Sequence, residues 1–135
     1  MHTGRLLSDA MRNLIDTNYI VRFLLGPEEP GYQEAEKAIL DGCETLPETI
    51  PEAIYVMEDV YHVDRRKLSD ALLALLDDVG IEHEDIIRQA LYLFGKEKPK
   101  LDYVDCLFLA IAERTDCNIL TFDKKLQKQI QNIHN

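Results

Sequence analysis

An α/β fold built on a small parallel sheet is the class this chain predicts. Three observations lead there. Short apolar runs of strand length alternate with longer stretches of helical period. Glycine or proline marks most of the joints, at Gly26-Pro27, Gly42, Pro51, Gly80 and Gly95. Asp16 and Asp123 each close a short apolar run, and ligands of an open parallel sheet gather beyond the carboxyl ends of its strands.

Residues 1–10 carry no clear period and read as an N-terminal extension, non-native or disordered, ahead of a single domain over 11–135. Residues 13–15 form a short apolar strand running into Asp16-Thr17-Asn18, a turn-forming trio suited to a strand-to-helix junction. A helix over 19–25 stops at Gly26-Pro27, and a second begins at Glu34 and ends before Gly42. Residues 43–49 read as extended. Pro51, in a first turn where its missing N–H costs nothing, opens a helix over 52–62. Residues 67–79 form a strongly apolar helix closed by Gly80, and Arg65-Arg66 read as a turn between helices. Residues 81–83 suit a minimal strand, 85–94 a helix, 103–114 a helix with Ala110 and Ala112 for close packing, 118–122 a buried strand, and 124–130 a last helix.

With 135 residues, 46% hydrophobic and 30% charged, the chain has the size and composition of one soluble globular domain. No apolar run approaches the roughly 18 residues a membrane span needs. Three scattered cysteines read as reduced packing residues of a cytoplasmic protein. The net charge of −10 cuts against a nucleic-acid partner, which usually meets a basic face. Local basic clusters remain, at Lys96, Lys98 and Lys100 and at Lys124-Lys125.

The chemistry is concentrated in four acids set against apolar sequence: Asp16, Glu58, Asp105 and Asp123. A carboxylate at the edge of a core must find a cation, take a proton or reach water. Several converging acids suit a hard divalent ion such as Mg²⁺ or Mn²⁺, which takes oxygen ligands. No histidine or cysteine spacing competes as a zinc site. With 25 acidic residues in the chain, each alone also reads as a solvated surface group. Asp16 and Asp123 can cap the helices they precede, Asp59 competes with Glu58 for the inward position, and Asp102, three before Asp105, has the spacing of a cap.

Four segments carry a family resemblance. Asn13-Leu-Ile-Asp-Thr-Asn, Ile50-Pro-Glu-Ala-Ile-Tyr-Val-Met-Glu-Asp-Val-Tyr, Tyr103-Val-Asp-Cys-Leu-Phe-Leu-Ala-Ile-Ala and Ile119-Leu-Thr-Phe-Asp-Lys-Lys occur in the order found in the PIN domain. The chain resembles that family over residues 11 to about 130, its VapC toxin branch most closely. The resemblance implies a three-layer α/β/α fold with a small parallel central sheet. It also implies a Mg²⁺- or Mn²⁺-dependent endoribonuclease, the toxin of a toxin–antitoxin pair, working as a homodimer and inhibited by a cognate antitoxin.

On that reading Asp16, Glu58, Asp105 and Asp123 hold metal and carry catalysis. Thr17, Asn18 and Thr121 orient them, and Lys98 and Lys100 meet the RNA. A dimer is also expected because Leu72, Leu73, Leu75, Leu76 and Val79 offer more apolar surface than one face of a small domain uses. The alternatives are a PIN-fold RNA-processing nuclease outside toxin–antitoxin systems and a non-catalytic PIN scaffold for protein binding. A receiver-like phosphate-accepting domain fits poorly, because the acids are spread over two strands and two helices.

Overall fold

The computed structural model describes residues 11–134. Among them, seven helices flank a very small parallel sheet, the α/β class expected, in a three-layer α/β/α arrangement. The 1–10 extension lies outside the described residues.

β1 (Cys43–Glu44) and β2 (Val79–Gly80) pair in parallel, Cys43 opposite Val79 and Glu44 opposite Gly80. Residues 13–15 join them through one parallel bridge from Leu14 to Glu44. The Ile15 N–H donates to the Glu44 carbonyl and the Glu44 N–H to the Asn13 carbonyl, each at 2.9 Å. The bridge segment is therefore one edge of the sheet. Glu44 is nearly buried and needs a cation; Arg12 supplies it, donating through Nε to Oε2 at 3.2 Å and through Nη2 to Oε1.

Local chemistry sets the helices. α1 (Thr17–Leu25) is capped by Asp16, whose carboxylate accepts from the Tyr19 N–H at 3.0 Å. A turn over 26–31 leads to α2 (Tyr32–Asp41), and α3 (Thr49–Asp59) follows β1. α4 (Arg65–Leu75) is capped by Asp64, which accepts from the Arg66 and Lys67 N–H groups. α5 (Glu84–Phe94), α6 (Tyr103–Arg114) and α7 (Lys124–His134) complete the described chain. Ile20, Ile50, Leu68, Leu72, Leu76, Val79, Leu91 and Phe94 are fully buried at the centre. α4 and α5 approach closely at Gly95, where a Cβ would lie 2.7 Å from Ser69 Oγ, itself donating to the Leu91 carbonyl at 2.6 Å.

Several boundaries differ from expectation. The helix expected over 67–79 starts two residues earlier because Asp64 caps it, and it ends at Leu75. Val79 belongs to β2, and the strand expected at 81–83 is this one, two residues upstream. The extended run expected over 43–49 narrows to Cys43–Glu44, because α3 begins at Thr49.

The larger correction concerns 118–122, expected as a buried strand. Among the described residues it pairs with nothing, and Leu120 and Phe122 are 93% and 100% exposed. The segment serves α7 instead of the sheet: the Asp123 N–H donates to Thr121 Oγ1 at 3.0 Å, and Gln127 donates to the Thr121 carbonyl at 2.6 Å.

The apolar excess expected on the 67–79 segment is used inside the monomer. Leu72, Leu75, Leu76 and Val79 are buried, and Leu73 packs on the core. That argument for a dimer therefore falls away.

Arg65 and Arg66 are not in a turn but open α4. The Arg65 guanidinium lies 4.2 Å above the Phe94 ring, and its Nε and Nη1 are buried without a hydrogen-bond partner. Arg65→Glu should cost about 2–4 kcal/mol in urea melts, because it loses the cation–π contact and sets a carboxylate against the ring face. Arg66→Glu, at an exposed position, should stay within about 0.5 kcal/mol.

Candidate metal and nucleic-acid site

Asp16 stands where expected, directly after the bridge segment at the carboxyl end of a sheet element. It is exposed, and capping α1 leaves a carboxylate oxygen free for other contacts. Beside it, Thr17 Oγ1 donates to Oε1 of Glu52 at 2.6 Å. This bond ties the first turn of α1 to the first turn of α3.

The acid that α3 brings to Asp16's neighbour is thus Glu52. Glu58 lies six residues further along α3, about 9 Å up the axis and about 120° around it. It is half-buried, near the other end of the helix. Sequence reasoning passed over Glu52 because the family resemblance pointed to Glu58, and the contact with Thr17 is not visible in the local sequence.

A second acidic group forms where α6 and α7 begin. Asp102 caps α6, accepting from the Asp105 N–H at 3.0 Å. Asp123 starts α7, accepting from the Leu126 N–H at 2.9 Å. Its expected place at the end of a sheet strand is corrected with the strand itself; it is a helix cap.

Burial first, and then the charges of Asp102 and Asp123, raise the Asp105 carboxyl above the ordinary aspartate value. A hydrogen bond that the protonated Asp105 carboxyl donates to the Asp102 carboxylate adds to the shift, and Lys125 offsets part of it. The neighbouring Cys106 thiol is buried and pushed up to about 12. It is therefore no nucleophile near neutral pH.

The basic residues expected at the site are close to this second group. Lys98 and Lys100 are exposed in the loop that runs from α5 into Asp102, with a cis bond between Lys98 and Pro99. Lys125 donates from Nζ to the Lys100 carbonyl at 3.3 Å, linking that loop to the start of α7. Of the proposed orienting residues, Thr17 bonds Glu52, Asn18 lines a cleft with Asp16, and Thr121 holds the Asp123 N–H.

Among the described residues, no three His, Cys, Asp or Glu side chains are close enough together to hold a metal ion. The donor chemistry nevertheless fits a hard cation. Every candidate is a carboxylate, and Asp105 is held near like charges that a divalent ion would neutralise. The acids fall into two groups, Asp16 with Glu52 at the starts of α1 and α3, and Asp105 with Asp102 and Asp123 at the starts of α6 and α7.

Among the described residues no helix is long and apolar enough to cross a membrane. Comparison with curated proteins and with solved structures gave no match. The family profile of the PIN domain matches residues 14–131, from the sheet-edge bridge into α7. PIN domains are generally nucleases that use Mg²⁺ or Mn²⁺, and the chain belongs to the PIN domain family.

Proposed function

We propose that the chain is a Mg²⁺- or Mn²⁺-dependent endoribonuclease, acting in the cytoplasm as the toxin of a VapC-type toxin–antitoxin pair. The observation that carries the reading is the gathering of Asp102, Asp105 and Asp123 where α6 and α7 begin, a negative charge that Lys125 offsets only in part, in a chain of a nuclease family. Clustered carboxylates without a cation cost a fold stability, and binding a divalent ion recovers it. The acids that would hold the ion are Asp16, Asp105 and Asp123, with Glu52 supplying the contribution from α3. Glu58 is the alternative from that helix. When bound, the metal supplies an activated water and neutralises charge developing on the scissile phosphate.

The protein's own groups do the rest. Thr17 fixes the Glu52 carboxylate by a hydrogen bond, and Asp102 sets the first turn of α6, so that Asp105 is presented on a rigid element. Lys98, Lys100 and Lys125 form the local cationic edge that an anionic chain needs on a protein of net charge −10. A basic segment of an antitoxin would meet the same acidic groups, and self-association as a homodimer belongs to this reading by family resemblance alone.

Asp16→Asn should lower metal-dependent cleavage of single-stranded RNA by at least about a hundredfold with the fold retained by circular dichroism. Unchanged turnover by the purified variant would overturn the reading. Glu52→Gln should cost about tenfold or more in the same assay, whereas Glu58→Gln stays within about twofold. The reverse order would restore Glu58 as the acid from α3.

The raised Asp105 carboxyl has a consequence for stability. Its folded form takes up a proton more readily than the unfolded chain, so ionisation works against folding. In chelator, stability should fall as pH rises from the ordinary aspartate range through the higher range of the folded protein. Asp105→Asn should remove that loss and stabilise the metal-free protein at pH 7 by less than about 1 kcal/mol, since the group is partly screened by solvent. Thermal melts at pH 4 and pH 7 test this, and added Mg²⁺ should raise the midpoint of the wild type but not of the variant.

Lys98→Glu with Lys100→Glu should weaken RNA binding and leave Mg²⁺ affinity intact. Titration calorimetry with each ligand separates the two effects.

A further inference from the structure

Beside Asp16 a cavity of about 280 Å³ is lined by Asn18, Tyr19, Arg22, Gly31 and Glu34. Its cation is held in place by the backbone. Arg22 Nη1 donates to the Pro30 carbonyl. The next residue, Gly31, has φ +88°, and a Cβ there would lie 2.8 Å from Arg22 Cδ and 3.2 Å from Nη1. Only glycine at 31 satisfies both the left-handed backbone and the space the arginine occupies.

A guanidinium has five N–H donors, and the Pro30 carbonyl takes one of them. Among the described residues no carboxylate comes within salt-bridge distance of Arg22, although Asp16 and Glu34 line the same cavity. A fixed cation and a carboxylate facing one space without pairing leave room for a ligand that satisfies both. Tyr19 adds an aromatic side chain to the lining.

We propose that this cavity is a nucleobase subsite selecting guanine next to the bond that is cut; the inference rests on the ribonuclease reading of Asp16. Single-stranded RNA is read by stacking bases on aromatic or guanidinium planes and by hydrogen bonds to their edges. Guanine presents acceptors at O6 and N7, which suit Arg22. It also presents donors at N1 and N2, which suit the two oxygens of Glu34. Adenine offers the carboxylate an acceptor at N1, and uracil offers it a single donor at N3. Asp16 lines the same cavity, so a base seated in it places its own phosphodiester beside that acid.

The test needs no catalysis. GMP, AMP, CMP and UMP are titrated into the metal-free protein by NMR, and GMP should bind about tenfold or more tighter than AMP. Glu34→Gln should level that preference, and Tyr19→Leu should weaken all four nucleotides. Gly31→Ala should reduce GMP affinity by displacing Arg22. If Gly31→Ala fails to fold, Arg22→Gln takes its place. Equal binding of the four nucleotides by the wild type, or an unchanged preference in Glu34→Gln, would overturn the subsite.

Cleavage of short RNAs containing each base then separates the two readings. Guanine binding without cleavage of any RNA would sink the nuclease and keep the pocket. Metal-dependent cleavage with a base preference insensitive to Glu34 would do the opposite.

Discussion

The hydrogen bonds that fasten residues 13–15 to Glu44 and Thr45 decide where everything functional stands. Glu44 exchanges backbone bonds with Asn13 and Ile15, Thr45 donates to the Gly80 carbonyl at 2.8 Å, and Thr45 Oγ1 donates to the Ile15 carbonyl at 2.8 Å. Thr45 and Thr49 share a further hydroxyl contact at 2.9 Å. These few bonds set the exit of the first segment, hence the position of Asp16, and through Thr49 the start of the helix carrying Glu52. A sheet this small has little pairing energy of its own. It persists because Cys43 and Val79 are fully buried among the helices that cover it.

A metal-free protein has to tolerate its own acids, and the helix starts provide the means. Asp16, Asp102 and Asp123 each accept a backbone N–H from the first turn of a helix, where the peptide dipoles favour negative charge. Asp105 lies inside its helix, at the first turn but with no such donor of its own to lean on, and it is the acid whose carboxyl is raised. Capping and metal binding are compatible uses of one carboxylate, since a cap occupies one oxygen and leaves the other.

Much of this arrangement was legible from local chemistry. Asp16-Thr17-Asn18 announced a strand-to-helix junction, Asp102 stood at capping distance from Asp105, and the helix over 103–114 was found at both ends. What failed depended on partners distant in sequence. Residues 118–122 have the composition of a buried strand, yet whether a strand pairs is decided by what lies beside it. Glu52 is singled out on α3 by a threonine 35 residues earlier, a contact that no local pattern shows. Arg65 read as part of a turn between helices because nothing local shows that Phe94 lies beneath it. The apolar count of α4 was right, but its faces were shared out among the helices around it and none was left over.

The exposed run at 118–122 has a practical side. Among the described residues no strand lies on the outer side of residues 13–15, so a free backbone edge and the exposed side chains of Leu120 and Phe122 belong to one small protein. Both are invitations to intermolecular strand addition, the usual seed of amorphous or fibrillar clumping. A net charge of −10 works against self-contact at low salt. Raising ionic strength screens that repulsion and leaves the sticky tract untouched, so colloidal behaviour in this protein is governed by the buffer as much as by the fold.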